Sequence, residues 1–479
     1  MKNFDETIYK KVILNFLPKI VPTNLEKERA MSVFERVKSI LDKAFKDAGL
    51  KAEIRLEGSM SHDTWLRVDM DIDIFIVLPL GDRSDLERVV AVCQEVFKDD
   101  WKERYSEHPF GEIIFEGYRI EIVPCFKIEM IEDRLSAVDR TPLHTEFLLS
   151  QLNDDLRIEI RLLKAFMKGI GVYGAELRVG GFSGYLTELL CLYYGSFINV
   201  CKNAINWKSG KTVLQLINFY EDLRVPLDLF NNEPLIFVDP VDRGRNVGSA
   251  LTLEKLNVFR AAAKTFLKLP SENFFYPLTP PLSLSDGKLL SLMNQRKTFF
   301  FALVFKELNV APDILWGQIF RSERAIVEAI EESGFQIIGS LPWSDEAGLV
   351  FLLFEVTHRE IPAVLKHKGP PVSMEEEINF LKKHLDSSKV LAGPYIREKR
   401  WFVELEREFT DVISFIQHLL TEKINSLGLG SYFRQALKKG FTILENEEIV
   451  KYLTEKDELR NSLSIFLVKK PSWLKYCKN

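Results

Sequence analysis

Gly58-Ser59-Met60-Ser61-His62-Asp63-Thr64-Trp65-Leu66-Arg67-Val68-Asp69-Met70-Asp71-Ile72-Asp73, continued by Ile74-Phe75-Ile76-Val77-Leu78-Pro79, is the stretch on which the reading of the chain turns. The apolar run after Asp73 is short, rich in β-branched residues and stopped by a proline, which predicts a buried strand. Side chains alternate along a strand, so Asp71 and Asp73 share one face while Ile72 and Ile74 turn into the core. Two carboxylates held this close repel unless a cation lies between them, and a site of oxygen ligands suits Mg²⁺. Eleven residues, 60–70, separate the pair from Gly58-Ser59, which ends a second alternating strand carrying Ile54 and Leu56. A glycine there lets backbone approach a phosphate, and the serine adds a hydroxyl donor. Taken singly, an Asp-x-Asp is an edge and a Gly-Ser is a turn. Their order and spacing on two predicted strands point to a metal-dependent nucleotide site.

Working outward, Thr23-Asn24-Leu25-Glu26 has the form of a capping box. Behind it Ala30, Val33, Phe34, Val37, Leu41 and Phe45 follow helical spacing as far as Gly49, so this helix is expected to pack on the sheet carrying the two acids. A second box is read at Ser84-Asp85-Leu86-Glu87, ahead of a helix with Leu86, Val89, Val90 and Cys93 on one face. Residues 112–116 and 118–123 predict two strands joined through Gly117. Ile120 and Ile122 take one face of the second strand and Glu121 the other, where it offers a third carboxylate. The pattern describes a small mixed α/β head.

Residues 159–176 predict a helix whose apolar face holds Ile160, Leu163, Phe166 and Met167, with Lys164 and Lys168 one turn apart. By itself such a lysine pair is solvated surface. Ser183 is a plausible cap for the next, mostly apolar helix, and Gly180-Gly181 suit close helix packing better than a phosphate cradle. Val238-Asp239-Pro240-Val241-Asp242-Arg243-Gly244-Arg245-Asn246-Val247 reads as a polar turn between apolar segments. A proline-rich linker follows Pro270. Beyond it a strand over 298–305, a helix over 314–333 and strands over 335–341 and 349–356 predict a ferredoxin-like or RRM-like unit. It lacks an RNP1 aromatic sequence, so it is expected to grip RNA shape and phosphates rather than stack bases. Lys438-Lys439 and the tail, with Trp473 and Tyr476 among lysines, suit RNA contact and simple solubility equally.

Gly-Ser, eleven residues, then Asp-hydrophobic-Asp resembles the signature of the polymerase-β-like nucleotidyltransferase superfamily. Thr64-Trp65-Leu66 narrows the resemblance to the class I, archaeal-type CCA-adding tRNA nucleotidyltransferases, of which Phe182-Ser183-Gly184-Tyr185 is a further hallmark. The resemblance is strong over Gly58–Asp73 and Glu121–Arg245 and thinner after Pro270, where order and length match better than residues do. It implies template-independent, stepwise addition of C, C and A from CTP and ATP to the 3′ end of tRNA, with release of pyrophosphate. It implies two Mg²⁺ ions on Asp71, Asp73 and Glu121, with Glu121 helping to activate the 3′-hydroxyl. Gly58, Ser59, His62, His144, Lys164 and Tyr173 match positions that hold the incoming nucleotide, and Arg245 matches the arginine that reads the base edge together with RNA phosphates. Three residues depart from the family pattern. Glu121 stands where Asp is common, Val68 where Gly is usual, and His62 where Arg or Lys is usual. A histidine is only partly charged near neutrality, which predicts weaker or more pH-dependent triphosphate binding.

The fold class expected is therefore α+β and multidomain: a nucleotidyltransferase head of mixed sheet and helices over residues 1–150, a helical central domain over 151–275, and a C-terminal tRNA-binding region over 276–479. A chain of 479 residues suits several domains, and 46% hydrophobic with 28% charged residues is ordinary for globular protein. Sixty-nine acidic against 64 basic residues, a net charge of −5, does not advertise a nucleic-acid binder, so any RNA-facing stripe needs an acidic back such as Glu375-Glu376-Glu377. Five scattered cysteines without CxxC argue against zinc and against a disulfide framework. No apolar stretch reaches the roughly 18 residues of a membrane span, and no signal-peptide segment stands at the N-terminus, which places the expected protein in the cytoplasm. The expected partners are the tRNA 3′ end with its acceptor/T-arm region, CTP and ATP. The oligomeric state stays open, a homodimer included. Two rivals stand beside this reading: a poly(A)- or poly(U)-type polymerase on the same head, and a catalytically inactive tRNA-binding paralogue, for which only His62 and Val68 speak.

Overall fold

Side-chain oxygens of Asp5 and Thr23 take up N–H groups that a first helical turn leaves without partners, and so begin helices α1 (Glu6–Phe16) and α2 (Asn24–Asp47). At α2 the expected box forms, with Glu26 reaching back to the Thr23 N–H at 2.8 Å. The computed structural model describes residues 5–105, 108–277, 282–308, 310–471 and 473–474. Two units divide the chain: Met1–Pro280 with Lys470–Asn479, and Pro281–Lys469.

In the first unit β1 (Glu53–Glu57), the single turn α3 (Gly58–Ser61), β2 (Asp71–Leu78), α4 (Arg83–Phe97), β3 (Lys102–Tyr105), β4 (Pro109–Phe115) and β5 (Tyr118–Phe126) build the head. The sheet order is β1-β2-β5-β4-β3, antiparallel throughout except for the parallel pair β2–β5. Ile72, Ile74, Ile76 and Ile120 from one sheet face pack with Val33, Val37 and Leu41 of α2 and with Leu86 and Val89 of α4 in one buried cluster. The start of α4 corrects the sequence reading. Its N-cap is Asp82, whose N–H donates to Asp85 at 3.2 Å, and Ser84 lies inside the helix. An aspartate outcompetes the nearby serine because an ionised acceptor also meets the positive end of the helix.

The helical part follows with α5 (Thr141–Gln151), α6 (Asp154–Gly169), α7 (Gly184–Tyr194), α8 (Phe197–Ala204), β6 (Val213–Gln215), α9 (Arg224–Leu229), β7 (Ile236–Val238) and α10 (Leu253–Lys268). Phe166 is its hub, with Phe197, Phe259, Phe266, Phe274 and Phe275 around one ring. Trp473 stacks on Phe274 at 5.9 Å and is buried in this same core. Trp473, for which RNA contact and simple solubility were equally open, is thus a core residue, while Tyr476 lies outside the described residues.

In the second unit α11 (Asp286–Arg296), β8 (Phe299–Phe305), α12 (Pro312–Glu332), β9 (Ile337–Ser344) and β10 (Val350–Val356) are followed by an inserted sheet. That insert is β11 (Val364–Pro371), α13 (Glu376–His384), β12 (Val390–Arg397) and β13 (Arg400–Glu406), and the chain closes with α14 (Val412–Thr421), α15 (Ser431–Lys439), β14 (Thr442–Glu445), α16 (Glu447–Tyr452) and α17 (Asp457–Val468). The main sheet is antiparallel in the order β14-β8-β10-β9; β8, α12, β9 and β10 follow the strand-helix-strand-strand order read from the sequence, and β14 adds a fourth strand. Every residue of β8 and β10 is buried, because helices cover both sheet faces. Phe301 and Leu303 meet α12, α14 and α15, while Phe300 and Ala302 meet α11, α16 and α17. No helix among the described residues is long and apolar enough to cross a membrane.

Candidate active site

Parallel pairing sets Asp71 beside Arg119 and Asp73 beside Glu121. Antiparallel pairing on the two flanks sets Glu57 opposite Asp73 and Glu112 opposite Glu121. One sheet face therefore carries a row of four acids, Glu57, Asp73, Glu121 and Glu112, with Asp71 one step along β2. Burial, then the charges of Glu121 and Asp71, push the Asp73 carboxyl up to about 7. Burial also raises Glu121 and Asp71, against the opposing pull of Arg119. Arg119 donates to Glu112 at 3.1 Å and to Glu121 at 2.5 Å, and so neutralises only part of the row. Among the described residues no three His, Cys, Asp or Glu side chains stand as a finished metal cage. The sheet supplies repelling carboxylate oxygens, a donor set that fits a hard divalent cation.

Gly58 lies directly against this row. Its φ is +65°, and a Cβ added there would overlap the Asp73 carboxylate. The glycine thus admits Asp73 as well as any phosphate. Gly58→Ala is expected to lower nucleotide incorporation about 10²-fold by displacing Asp73, with a folded circular-dichroism spectrum. Full activity in that variant would refute the crowding argument.

Beside Asp73 opens a cavity of about 310 Å³ walled by Gly58, Ser59, His62 and Asp73 from the head and by His144, Lys164, Tyr173, Tyr185 and Glu188 from α5, α6, α7 and the link between them. Seven residues singled out from the sequence thus share one space. Asp71 and Glu121 adjoin Asp73 on the sheet, and Arg245 reaches His144 through Asp239, which bonds both. Val68 lies on the turn before β2, 40% exposed and outside the cavity walls. A larger open groove of about 560 Å³ near Phe45, Lys46 and Val77 holds none of the site residues singled out from the sequence.

The floor of the cavity is a buried ionic network. Glu188 accepts from Lys164 at 2.9 Å, from Thr64 at 2.5 Å and pairs with His62 at 3.2 Å, while His62 reaches Thr145 with its other nitrogen at 3.1 Å. Burial would raise Glu188, but Lys164 and His62 outweigh it and hold the carboxyl well below its usual range. The lysine pair is not solvated surface. Lys164 is buried, and Lys168 pairs with Asp69 and lies over the rings of Tyr173 and Tyr276 at 5.2 and 5.6 Å. With Arg157 donating to the His62 carbonyl at 3.0 Å and Arg161 to that of Trp65 at 2.9 Å, one side of α6 holds loop 62–69 from end to end. That loop joins α3 to β2, so α6 buttresses the connection between Ser59 and Asp71.

Ser183 caps α7 as expected, accepting from the Leu186 N–H at 3.0 Å. A Cβ at Gly181 would overlap the Val172 carbonyl, so this glycine serves the backbone contact that pairs Tyr173 with Phe182. Glu188, in the cavity wall, and Asp239, which bonds both His144 and Arg245, are residues of this region that the sequence reading did not single out. The one signal for Glu188 was a charge inside the apolar run of α7.

Three stretches of the chain match known protein families. The nucleotidyltransferase domain family matches residues 35–144, the second domain of tRNA nucleotidyltransferase matches 158–276, and the C-terminal domain of the CCA-adding enzyme matches 296–446. The CCA-adding enzyme of Methanosarcina mazei is 35% identical over 450 residues, 93% of this chain and 96% of that one. That of Pyrobaculum islandicum is 36% identical over 431 residues, 89% and 96% of the two chains, and that of Methanothermobacter thermautotrophicus 34% over 440, 90% and 92%. A nucleotidyltransferase domain implies dependence on a divalent metal. Identity of this extent along nearly the whole chain, with the acids in register on adjacent strands, means that the chain belongs to the CCA-adding enzyme family of nucleotidyltransferases.

Proposed function

We propose that the protein adds C, C and A stepwise to the 3′ end of tRNA from CTP and ATP, with release of pyrophosphate. The observation that carries this reading is the single cavity bounded by Asp73 and the carboxylate row on one side and by His144, Lys164 and Tyr173 on the other. Asp71, Asp73 and Glu121 would hold two Mg²⁺ ions, which supply acidification of the 3′-hydroxyl and charge balance for the triphosphate. Ser59 on the head, with His144, Lys164 and Tyr173 opposite, holds and orients the triphosphate; His62, expected there too, has both ring nitrogens taken by Glu188 and Thr145 and acts by fixing Glu188. The Lys164 ammonium, fixed by Glu188 and Thr64, is preorganised for that anion. Arg245 faces the base, and its guanidinium offers several N–H donors that can serve cytosine or adenine. The division 1–150, 151–275 and 276–479 is supported by the three family matches, with the terminal Lys470–Asn479 grouped with the first unit. The C-terminal region then binds the acceptor/T-arm side of tRNA.

The test uses tRNA transcripts ending before CCA, after one or two added Cs, and complete, each with labelled CTP, ATP, UTP or GTP and Mg²⁺, resolved at single nucleotides. Addition of C, C, then A, stopping there, is the expected result. Long A or U tails would replace this reading by a homopolymer polymerase. Binding without any addition would identify a retired paralogue.

A further inference from the structure

Asp239, at the end of β7, is fully buried, and four donors converge on its carboxylate. Oδ2 accepts from His144 Nε2 at 2.9 Å and Arg245 Nη1 at 2.8 Å. Oδ1 accepts from the Val241 N–H at 3.0 Å and the Tyr185 hydroxyl at 3.3 Å. A carboxylate offers about four lone-pair directions. All are taken, so Asp239 has no acceptor position left for a ligand and acts through its neighbours. Burial would raise its pKa, but His144 and Arg245 hold it at about 2, so it is a fixed negative charge.

Both residues that share Oδ2 are fixed in other ways as well. The His144 ring lies on that of Tyr185, with centroids 4.1 Å apart and planes 28° apart. The Arg245 backbone is tied at both polar atoms: its carbonyl accepts from the Asp239 N–H at 3.1 Å, and its N–H donates to the Asp242 carbonyl at 2.9 Å. Asp242 in turn accepts from Gly244 N–H at 3.1 Å and from Arg140 at 3.0 Å. Among the described residues one guanidinium nitrogen of Arg245 is held, and the side chain stays 31% exposed while its partner is wholly covered.

We propose that Asp239 is a positioning and specificity-determining residue that makes Arg245 and His144 one mechanical unit, so that the fit of the base at Arg245 sets the register of the triphosphate at His144. This rests on the reading above, in which Arg245 meets the base and His144 the triphosphate. A base that displaces Arg245 strains an oxygen that His144 shares. A mismatched nucleotide is thereby penalised at both ends, and discrimination exceeds what the base contacts alone supply.

The measurement is steady-state incorporation of CTP, ATP and UTP on tRNA transcripts ready for each. It compares wild type, Asp239→Asn, Asp239→Glu, His144→Ala, Arg245→Ala and the His144→Ala/Arg245→Ala pair. Asp239→Asn keeps shape but sets an amide N–H₂ or a neutral oxygen against these donors. It is expected to raise KM for CTP and ATP about tenfold, to change kcat less than about threefold, and to lower the CTP-over-UTP preference about tenfold. Asp239→Glu, which keeps the charge, should recover part of the preference. In the wild-type background the His144 and Arg245 losses in kcat/KM should be clearly non-multiplicative, because each substitution already releases the other group. Unchanged KM and preference in folded Asp239→Asn, or multiplicative losses for the pair, overturns the proposal. Should Asp239→Asn fail to fold, the His144–Arg245 cycle decides alone. A wild-type enzyme that adds no C to tRNA would refute the functional reading instead, and the two failures are distinguishable.

Discussion

Asp73→Asn is expected to lower nucleotide incorporation by about 10³-fold or more, and in chelating buffer to stabilise the protein at pH 8. Both effects have one cause. Asp73 stands between Glu57 and Glu121 in the carboxylate row, and its pKa of about 7 lies well above the ordinary 3.8. Between those values the folded state binds more protons than the unfolded chain, so stability is lost as pH rises through the window. An amide does not ionise and escapes that loss, worth about 1–3 kcal/mol once partial exposure is allowed for. Divalent cation should raise the wild-type melting temperature and leave the variant nearly unmoved. Melting curves from pH 5 to 8, with and without Mg²⁺, check this. If the two proteins lose stability in parallel as pH rises, or if Mg²⁺ stabilises both equally, the acidic row is not the electrostatic liability described here.

Glu188→Ala is expected to cost about 3–5 kcal/mol, because it strands the Lys164 ammonium in a cavity floor where both side chains are almost wholly buried. The loss should be recovered largely by Glu188→Leu combined with Lys164→Met, since an apolar pair needs no charge partner at that site. Incorporation should not return, because no ammonium is left to meet the triphosphate. Denaturant unfolding of the three proteins, read beside single-nucleotide incorporation, separates the two roles. A Glu188→Ala variant as stable as wild type would show that water replaces the carboxylate. A double variant that adds nucleotides would show that Lys164 is structural only.

What could be read from the sequence was whatever rests on short-range rules. Alternation placed Asp71 and Asp73 on one face and Ile72 and Ile74 on the other, and the strand found in the structure has that burial pattern. Thr23 and Glu26 announced their box because both partners lie within one turn. The same rule failed at Ser84, where Asp82 and Asp85 offered a competing box two residues earlier. Helix α1, strand β3 and the inserted sheet of the second unit had too weak a pattern to be read, and their hydrophobic faces acquire meaning only against partners distant in sequence. Family resemblance drew His144, Lys164, Tyr173 and Arg245 into one hypothesis that spacing could not have assembled.

Tertiary structure alone decided how those residues are held. His144 and Asp239 are 95 positions apart and share a hydrogen bond, and His62 and Glu188 are 126 apart. No window of sequence reveals such pairs. It was packing that turned Trp473 into core, covered both faces of the second unit's sheet and converted a surface-looking lysine into a buried one. The sequence by itself determined which chemistry the site can offer, because carboxylate, ammonium, imidazole and guanidinium are properties of single residues. The tertiary structure decided which of those groups meet, because burial and long-range pairing set which charges are neutralised internally and which remain to face a substrate.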